Sequence, residues 1–200
     1  MSDFKEFTNE YLQKLSSCFT IDQVSQMEVL SESLENVWEN NNTVFLCGNG
    51  GSGANALHIA NDLHFGLGDM LINKKNGLKA DALTSNTAVL SCLANDLGYE
   101  SIFSNQIDVK ASKGDILIAL SGSGNSPNII KAINLAKDKG IKTFSILGFD
   151  GGICKNISDF PIHFHIGDMQ IAEDTQVIVL NICIKWIINR KNEKYLKSKD

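Results

Sequence analysis

Two short apolar runs in this chain each empty into a glycine- and serine-rich loop and then into a helical stretch. TVFLC (43–47) runs into GNGGSG (48–53), and DILIAL (115–120) runs into SGSGNS (121–126). A continuous apolar run of this length, bounded by turn residues, reads as a strand buried on both faces, and such strands occur in parallel sheets covered by helices. The rest of the chain keeps the alternation. Residues 80–84, 142–147 and 160–166 read as further strands. Residues 54–63, 87–97, 99–110 and 128–139 read as helices, the last closed by Gly140, while 65–79 reads as loop and 150–152 as turn. A final amphipathic helix covers 170–190, ahead of a lysine-rich tail that is expected to fray. Residues 1–40 are helical: Phe4, Phe7, Tyr11, Leu12 and Leu15, then Met27, Leu30, Leu34, Val37 and Trp38, recur at three- and four-residue spacing, with Thr20 or Asp22 to cap the second helix. The expected fold is α/β, a single doubly wound parallel sheet of flavodoxin-like type flanked by helices. Residues 1–40 form an N-terminal helical extension on the core or on a neighbouring subunit, and 41–192 form the domain.

Composition narrows the function. Of 200 residues 43% are hydrophobic, enough for a sizeable core, and the formal charge of −5 argues against a nucleic-acid binder working through a broad basic face. Arg190 is the single arginine. Any phosphate must then be held mainly by lysine, hydroxyls or backbone N–H groups rather than by a guanidinium fork. The opening residues MSDFKEFTNEYLQ contain no apolar h-region, and the longest apolar stretch, 177–188, is interrupted by Asn181 and Lys185 and is too short to span a bilayer. The five cysteines, Cys18, Cys47, Cys92, Cys154 and Cys183, form no CxxC pair, and an odd count favours reduced thiols. A cytoplasmic protein without membrane association is expected, its cysteines behaving mostly as small buried hydrophobes.

In an open α/β sheet ligands bind beyond the carboxyl ends of the strands, where loops enter helices. A helix start there offers unpaired N–H groups and the positive end of the dipole. The loop 121–126 fits an anion: Ser121, Ser123 and Ser126 supply hydroxyls, Gly122 lets the backbone approach, and Pro127 stands where a helix begins. A Gly/Ser turn without a ligand is the bland alternative. The first loop has neither GxGxxG in the dinucleotide register nor GxxxxGK[ST], so no nucleotide cofactor is expected. The helix that follows it puts Asn55, His58 and Asp62 on one face. A His and an Asp four residues apart suit a shared metal or a proton-transfer pair, and equally an ordinary solvated pair. Asp168, Gln170, Glu173 and Asp174 open the last helix, where acids also serve simply as dipole partners. Asn95 and Asp96 end a helix or face a ligand. His163 and His165 share one face of a strand, which reads as a solvent-facing edge.

With these residues in view, the chain resembles the SIS (sugar isomerase) family, and within it the phosphoheptose isomerases. The likeness lies in CGNGGS (47–52), ALHIA (56–60), LAND (93–96), IFS (102–104) and LSGSGNSPNIIKA (120–132), spread over residues 40–190. The resemblance implies a homotetramer with active sites at subunit interfaces, acting on a sugar phosphate, most specifically sedoheptulose 7-phosphate, through an enediol. It implies that Ser121, Gly122, Ser123 and Ser126 hold the phosphate, and that Asn49, Gly50, Gly51 and Ser52 contact the sugar. It puts Asn95, Asp96, Asp168 and Thr84 or Ser85 nearby. It implies catalysis by Asp62, His58 and Glu173, with zinc as an admissible cofactor on those same three residues. The chain departs from the family pattern at three points: Asp62 replaces the usual glutamate, Asn181 the last-helix histidine, and Glu173 a glutamine. A carboxylate with a shifted role, or His58, His64 or His165, could substitute for the missing acid, or catalysis could be lost. A non-catalytic module that binds a phosphosugar or docks onto a protein is the alternative expectation.

Overall fold

The structure, a computed structural model, describes residues 3–199. Met1 and Ser2 of the N-terminal helical region, and Asp200 of the tail, lie outside the described residues. Five parallel strands form one sheet: β1 (Thr43–Gly48), β2 (Lys79–Ala82), β3 (Ile116–Ser121), β4 (Lys142–Leu147) and β5 (Phe160–His163), in the order β2-β1-β3-β4-β5. The helices are α1 (Phe4–Ser17), α2 (Ile21–Glu39), α3 (Gly50–Asn61), α4 (Leu67–Asp69), α5 (Thr87–Leu97), α6 (Ser104–Lys110), α7 (Pro127–Asp138), α8 (Gly152–Ile157) and α9 (Met169–Lys197). This is the doubly wound α/β class expected from the alternating pattern. Its order reverses between β1 and β3, so the two glycine- and serine-rich loops leave adjacent strands at the switch point.

Strand alternation explains the two layers. Val44, Leu46, Ile116, Ile118, Leu120, Phe144 and Ile146 face a core shared with α2, α3 and α9. Phe45, Cys47, Leu117, Ala119 and Leu147 face a second core under α6, α7 and α8. Phe103, Phe144 and Phe164 are the largest fully buried side chains, and full burial of such a side chain contributes about 1.5–3 kcal/mol. Cys47, Cys154 and Cys183 are core hydrophobes whose thiols burial pushes up, Cys154 to about 11 and Cys183 to about 12. No helix among the described residues is long and apolar enough to cross a membrane.

Several boundaries differ from the sequence expectation, each for a local reason. The first-loop helix starts at Gly50, not at 54, so Gly50, Gly51 and Ser52 form its first turn. Low glycine propensity hid this, since a first turn has few intrahelical bonds to lose. Its far end passes through a π-helical turn, Asp62–Gly66, into α4, inside the stretch 65–79 read as loop. Residues 99–110 divide into a 3₁₀ turn, Tyr99–Ser101, and α6. β2 ends at Ala82 rather than 84. β5 ends at His163, where the Ile166 N–H turns back onto the Phe164 carbonyl at 2.8 Å. His165 therefore lies off the strand, yet its ring stays beside that of His163, and both contact the Phe149 carbonyl, at 2.9 Å from His163 and 3.1 Å from His165. α8 has no apolar periodicity to announce it; only Cys154 of its six residues is buried.

The tail does not fray at 190. α9 continues to Lys197 because buried Glu35 of α2 pairs with Arg190 and Lys191, both at 3.1 Å, and Lys191 also meets Glu39 and the Trp38 ring. Two contacts tether α1, which buries no residue: the Tyr11 hydroxyl donates to Asp174 at 2.7 Å, and Lys14 pairs with Asp168 at 3.0 Å. The hydrogen bond to Asp174 lifts the Tyr11 hydroxyl to about 12. Its apolar Phe4, Phe7 and Leu12 face solvent.

Candidate active site

One cleft of about 270 Å³ opens at the switch point. Asn49, Gly50, Gly51 and Ser52 line it from the β1–α3 junction. Leu120, Ser121, Gly122, Ser123 and Ser126 line it from the β3–α7 junction, and Met169 and Glu173 from the start of α9. The carboxylate of Glu173 stands directly over Gly51, where any Cβ would come within 2.5 Å of it. Met169 sits against Gly122 in the same way. The two glycines thus keep the cleft floor at backbone level. Glu173 is the only lining residue with a titratable side chain, and neither lysine nor arginine lines the cleft. Arg190 is committed to Glu35, about 25 Å further along α9.

The hydroxyls are oriented by the protein around them. The Gly124 N–H donates to Ser121 Oγ at 3.0 Å, the Asn125 N–H to Ser123 Oγ at 3.3 Å, and Gln176 Nε2 to Ser52 Oγ at 2.9 Å. Each oxygen already accepts, so each hydroxyl proton is available to donate. Ser126 N-caps α7 through its backbone and makes no side-chain capping bond, and Pro127 occupies the first helical position. Two helix N-termini, those of α3 and α7, add orphan N–H groups and positive dipole ends. The cleft is therefore rich in donors without a formal cation, which suits an acceptor-rich anion such as a phosphate monoester. Asn49, at the N-cap of α3, exchanges two amide hydrogen bonds with buried Asn128, at 2.8 and 2.9 Å, and accepts from the Tyr99 hydroxyl at 3.0 Å.

Other expected site residues lie elsewhere in this chain. His58 Nε2 and Asp62 form a half-exposed pair at 3.4 Å, off the cleft lining. Asn55, expected on their face, turns instead to α9, donating to the Glu173 carbonyl and to Gln176 Oε1, both at 3.0 Å. Among the described residues no three His, Cys, Asp or Glu side chains gather closely enough to hold a metal ion. The set His58, Asp62 and Glu173 thus does not fit zinc within one chain. Asn95 and Asp96 contact each other on exposed α5, and Cys92 donates to Asp96. Asp168 N-caps α9, accepting from the Ile171 N–H at 3.3 Å, and the Lys14 ammonium holds its carboxyl below the usual range. Thr84 donates to the Gly53 carbonyl at 3.3 Å, bracing the floor from below, and Ser85 is exposed. Sequence reasoning missed Met169, Asn128, Tyr99 and Gln176. The signal for Gln176 was a polar residue inside the apolar stripe Ile171, Ala172, Val179, Leu180.

A sequence model described as the SIS domain matches residues 6–148. Phosphoheptose isomerase of Helicobacter pylori (strain Shi470) is 37% identical over 193 residues, which is 94% of this chain and 96% of that protein. Phosphoheptose isomerase of Aliarcobacter butzleri (strain RM4018) is 41% identical over 152 residues, 76% of this chain and 78% of the relative. The structure of phosphoheptose isomerase from Neisseria gonorrhoeae superposes with a TM-score of 0.82 at 26% identity, covering 90% of this chain and 94% of that one. The fold, its switch-point loops and these likenesses agree, and the chain belongs to the SIS domain family together with the phosphoheptose isomerases.

Proposed function

We propose that this chain interconverts sedoheptulose 7-phosphate and D-glycero-D-manno-heptose 7-phosphate through an enediol. The observation that carries this reading is a donor-lined cleft with a single carboxylate: an anion site at the α7 mouth and one acid–base group over Gly51 at the mouth of α3. The relatives' names supply the sugar class, a phosphorylated heptose. The phosphate sits against Ser121, Ser123 and Ser126. The carbonyl end reaches Asn49 and Ser52. Glu173 removes the proton from C1, the electron pair of that C–H bond forms the C1–C2 double bond, and the carbonyl oxygen O2 gains negative charge, stabilised by Ser52. O2 then takes the proton that the adjacent O1 releases, the O1 electron pair forms the C1–O1 double bond, and Glu173 returns its proton to C2 to give the aldose. No step runs through a metal, since the donors of one chain do not assemble a ligand set.

The site is read as one of four in a cytoplasmic homotetramer. The exposed apolar residues of α1, with Ile182 and Trp186 of α9, supply surface for contacts between copies. In such an assembly Asn95, Asp96, His58 and Asp62 are candidates to reach a neighbouring cleft.

The test is incubation with sedoheptulose 7-phosphate in heavy water, followed by NMR. Deuterium at C1 of the ketose and C2 of the aldose, together with the aldose product, is expected. Intact binding without exchange or product points to a binding module instead. Ser123→Ala is expected to weaken phosphosugar affinity by about 1 kcal/mol or more, through loss of a hydrogen bond to a charged group. An unchanged dissociation constant by calorimetry removes Ser123 from the phosphate site.

A further inference from the structure

Ser52 is 4% exposed and lines the cleft, and its oxygen receives the amide of Gln176, a side chain with 0% exposure, at 2.9 Å. Which end of that amide faces Ser52 follows from its other neighbour. Asn55 meets the Glu173 backbone carbonyl at 3.0 Å, so it must present its NH₂ there. The same NH₂ meets Gln176 at 3.0 Å, so Gln176 turns its oxygen to Asn55 and its nitrogen to Ser52. A nitrogen that only donates occupies a lone pair of Ser52 Oγ and leaves the hydroxyl proton unused. Among the described residues no acceptor takes that proton, and the open direction is the cleft.

We propose that Gln176 is a positioning residue that makes Ser52 a one-way hydrogen-bond donor to the substrate oxygen that gains charge as the enediol forms. The inference rests on the isomerase reading of this site. In the step it serves, the proton beside the carbonyl passes to Glu173, the electron pair of that C–H bond becomes the C=C bond, and the carbonyl π pair moves onto oxygen. Ser52 O–H meets that oxygen as charge grows and keeps its own proton. The Asn55–Gln176–Ser52 chain fixes the donor's direction before substrate arrives, and a pre-aimed donor stabilises charge without reorganisation.

Gln176→Glu reverses the polarity at nearly constant shape: a carboxylate accepts, and draws the Ser52 proton away from the cleft. Relative to the unmodified protein turning over sedoheptulose 7-phosphate, this variant should lose about 10²-fold in kcat with KM changed by less than about threefold, the pattern of an interaction made mainly in the transition state. Ser52→Ala should lose a similar factor, and the double variant no more than Ser52→Ala alone. Gln176→Met, which neither donates nor accepts strongly, should fall between. Multiplying losses, a change in KM alone, or an unchanged kcat would each overturn the proposal.

A second readout needs no turnover. In ¹⁵N-labelled protein without ligand, the Gln176 side-chain amide is identified by its absence from Gln176→Glu. In Ser52→Ala that resonance should move upfield and exchange faster with solvent. If it does not move, Gln176 does not hold Ser52 and the inference fails, whatever the kinetics. If the unmodified protein shows no turnover, the isomerase reading fails, while the amide resonance still decides the Gln176–Ser52 contact.

Discussion

Glu173→Gln is expected to lower turnover of sedoheptulose 7-phosphate by about 10²–10⁴-fold, the usual worth of a general acid–base group. That corresponds to about 3–5 kcal/mol of barrier. The reason is the make-up of the cleft: its other lining residues are glycines, serines, an asparagine, a leucine and a methionine, and none of them exchanges a proton near neutral pH. The substitution is isosteric, so the packing over Gly51 and the Asn55 contact to the residue 173 carbonyl are kept. Affinity for the phosphosugar should stay within about threefold, because uniform binding through the serine loop is untouched. The informative measurement is single-turnover isomerisation at saturating substrate, together with calorimetry on the same protein. Retained turnover would move the base to Asp62, whose carboxylate sits beside His58 on exposed surface, and would make a neighbouring copy's cleft the place to look for it.

The family resemblance implies a histidine at position 181 and a glutamine at position 173; this chain has Asn181 and Glu173 there, and on the proposed reading Glu173 supplies the carboxylate that works within the cleft. The Glu173 carboxylate lies over Gly51 at the mouth of α3, where the backbone N–H groups and helix dipole favour its ionised form.

The parts of this site legible in the sequence were those set by neighbours along the chain. A strand ending in Ser121 and a helix beginning at Pro127 fix the serine loop between them, and an apolar run ending at Cys47 fixes the first loop. Neither needs knowledge of what packs above. The parts that were not legible depend on contacts across the sheet. Glu173 meets Gly51, and Gln176 meets Ser52, only because α9 lies along α3, and no local periodicity encodes that register. The face shared by Asn55, His58 and Asp62 was read correctly as helical spacing but not as a unit: Asn55 is captured by α9, and the other two stay half-exposed. The short α8 escaped notice for the opposite reason. A helix of six residues has too few turns to show a period, and it is held by the loop before it rather than by its own sequence.

Gly124→Ala is expected to abolish phosphosugar binding at millimolar ligand and to destabilise the fold by about 2–4 kcal/mol, the range of mutations that strain a special backbone position inside a packed contact. Two effects add. Gly124 has φ +66°, where a Cβ costs about 1–2 kcal/mol. A Cβ there would also lie 2.0 Å from the Gly151 carbonyl oxygen, a backbone atom that cannot rotate away. The serine loop and the loop after β4 are tied at this place: the Cys154 N–H donates to the Gly124 carbonyl, the Gly148 N–H to the Gly122 carbonyl, both at 3.0 Å, and the Ile153 N–H to Asn125 Oδ1 at 3.1 Å. Pushing Gly151 away pulls Ser121, Ser123 and Ser126 out of register with the start of α7. Gly140→Ala is the matched control. Gly140 follows α7 with φ +69° and open space around its Cβ position, so the alanine meets the conformational penalty alone. That variant should lose about 1–2 kcal/mol, or about 2–8 °C in melting temperature for a chain of this size, and bind phosphosugar as the unmodified protein does. Equal losses of stability and unchanged affinity in both variants would show that the two loops are not interlocked, and that the phosphate is gripped somewhere other than the mouth of α7.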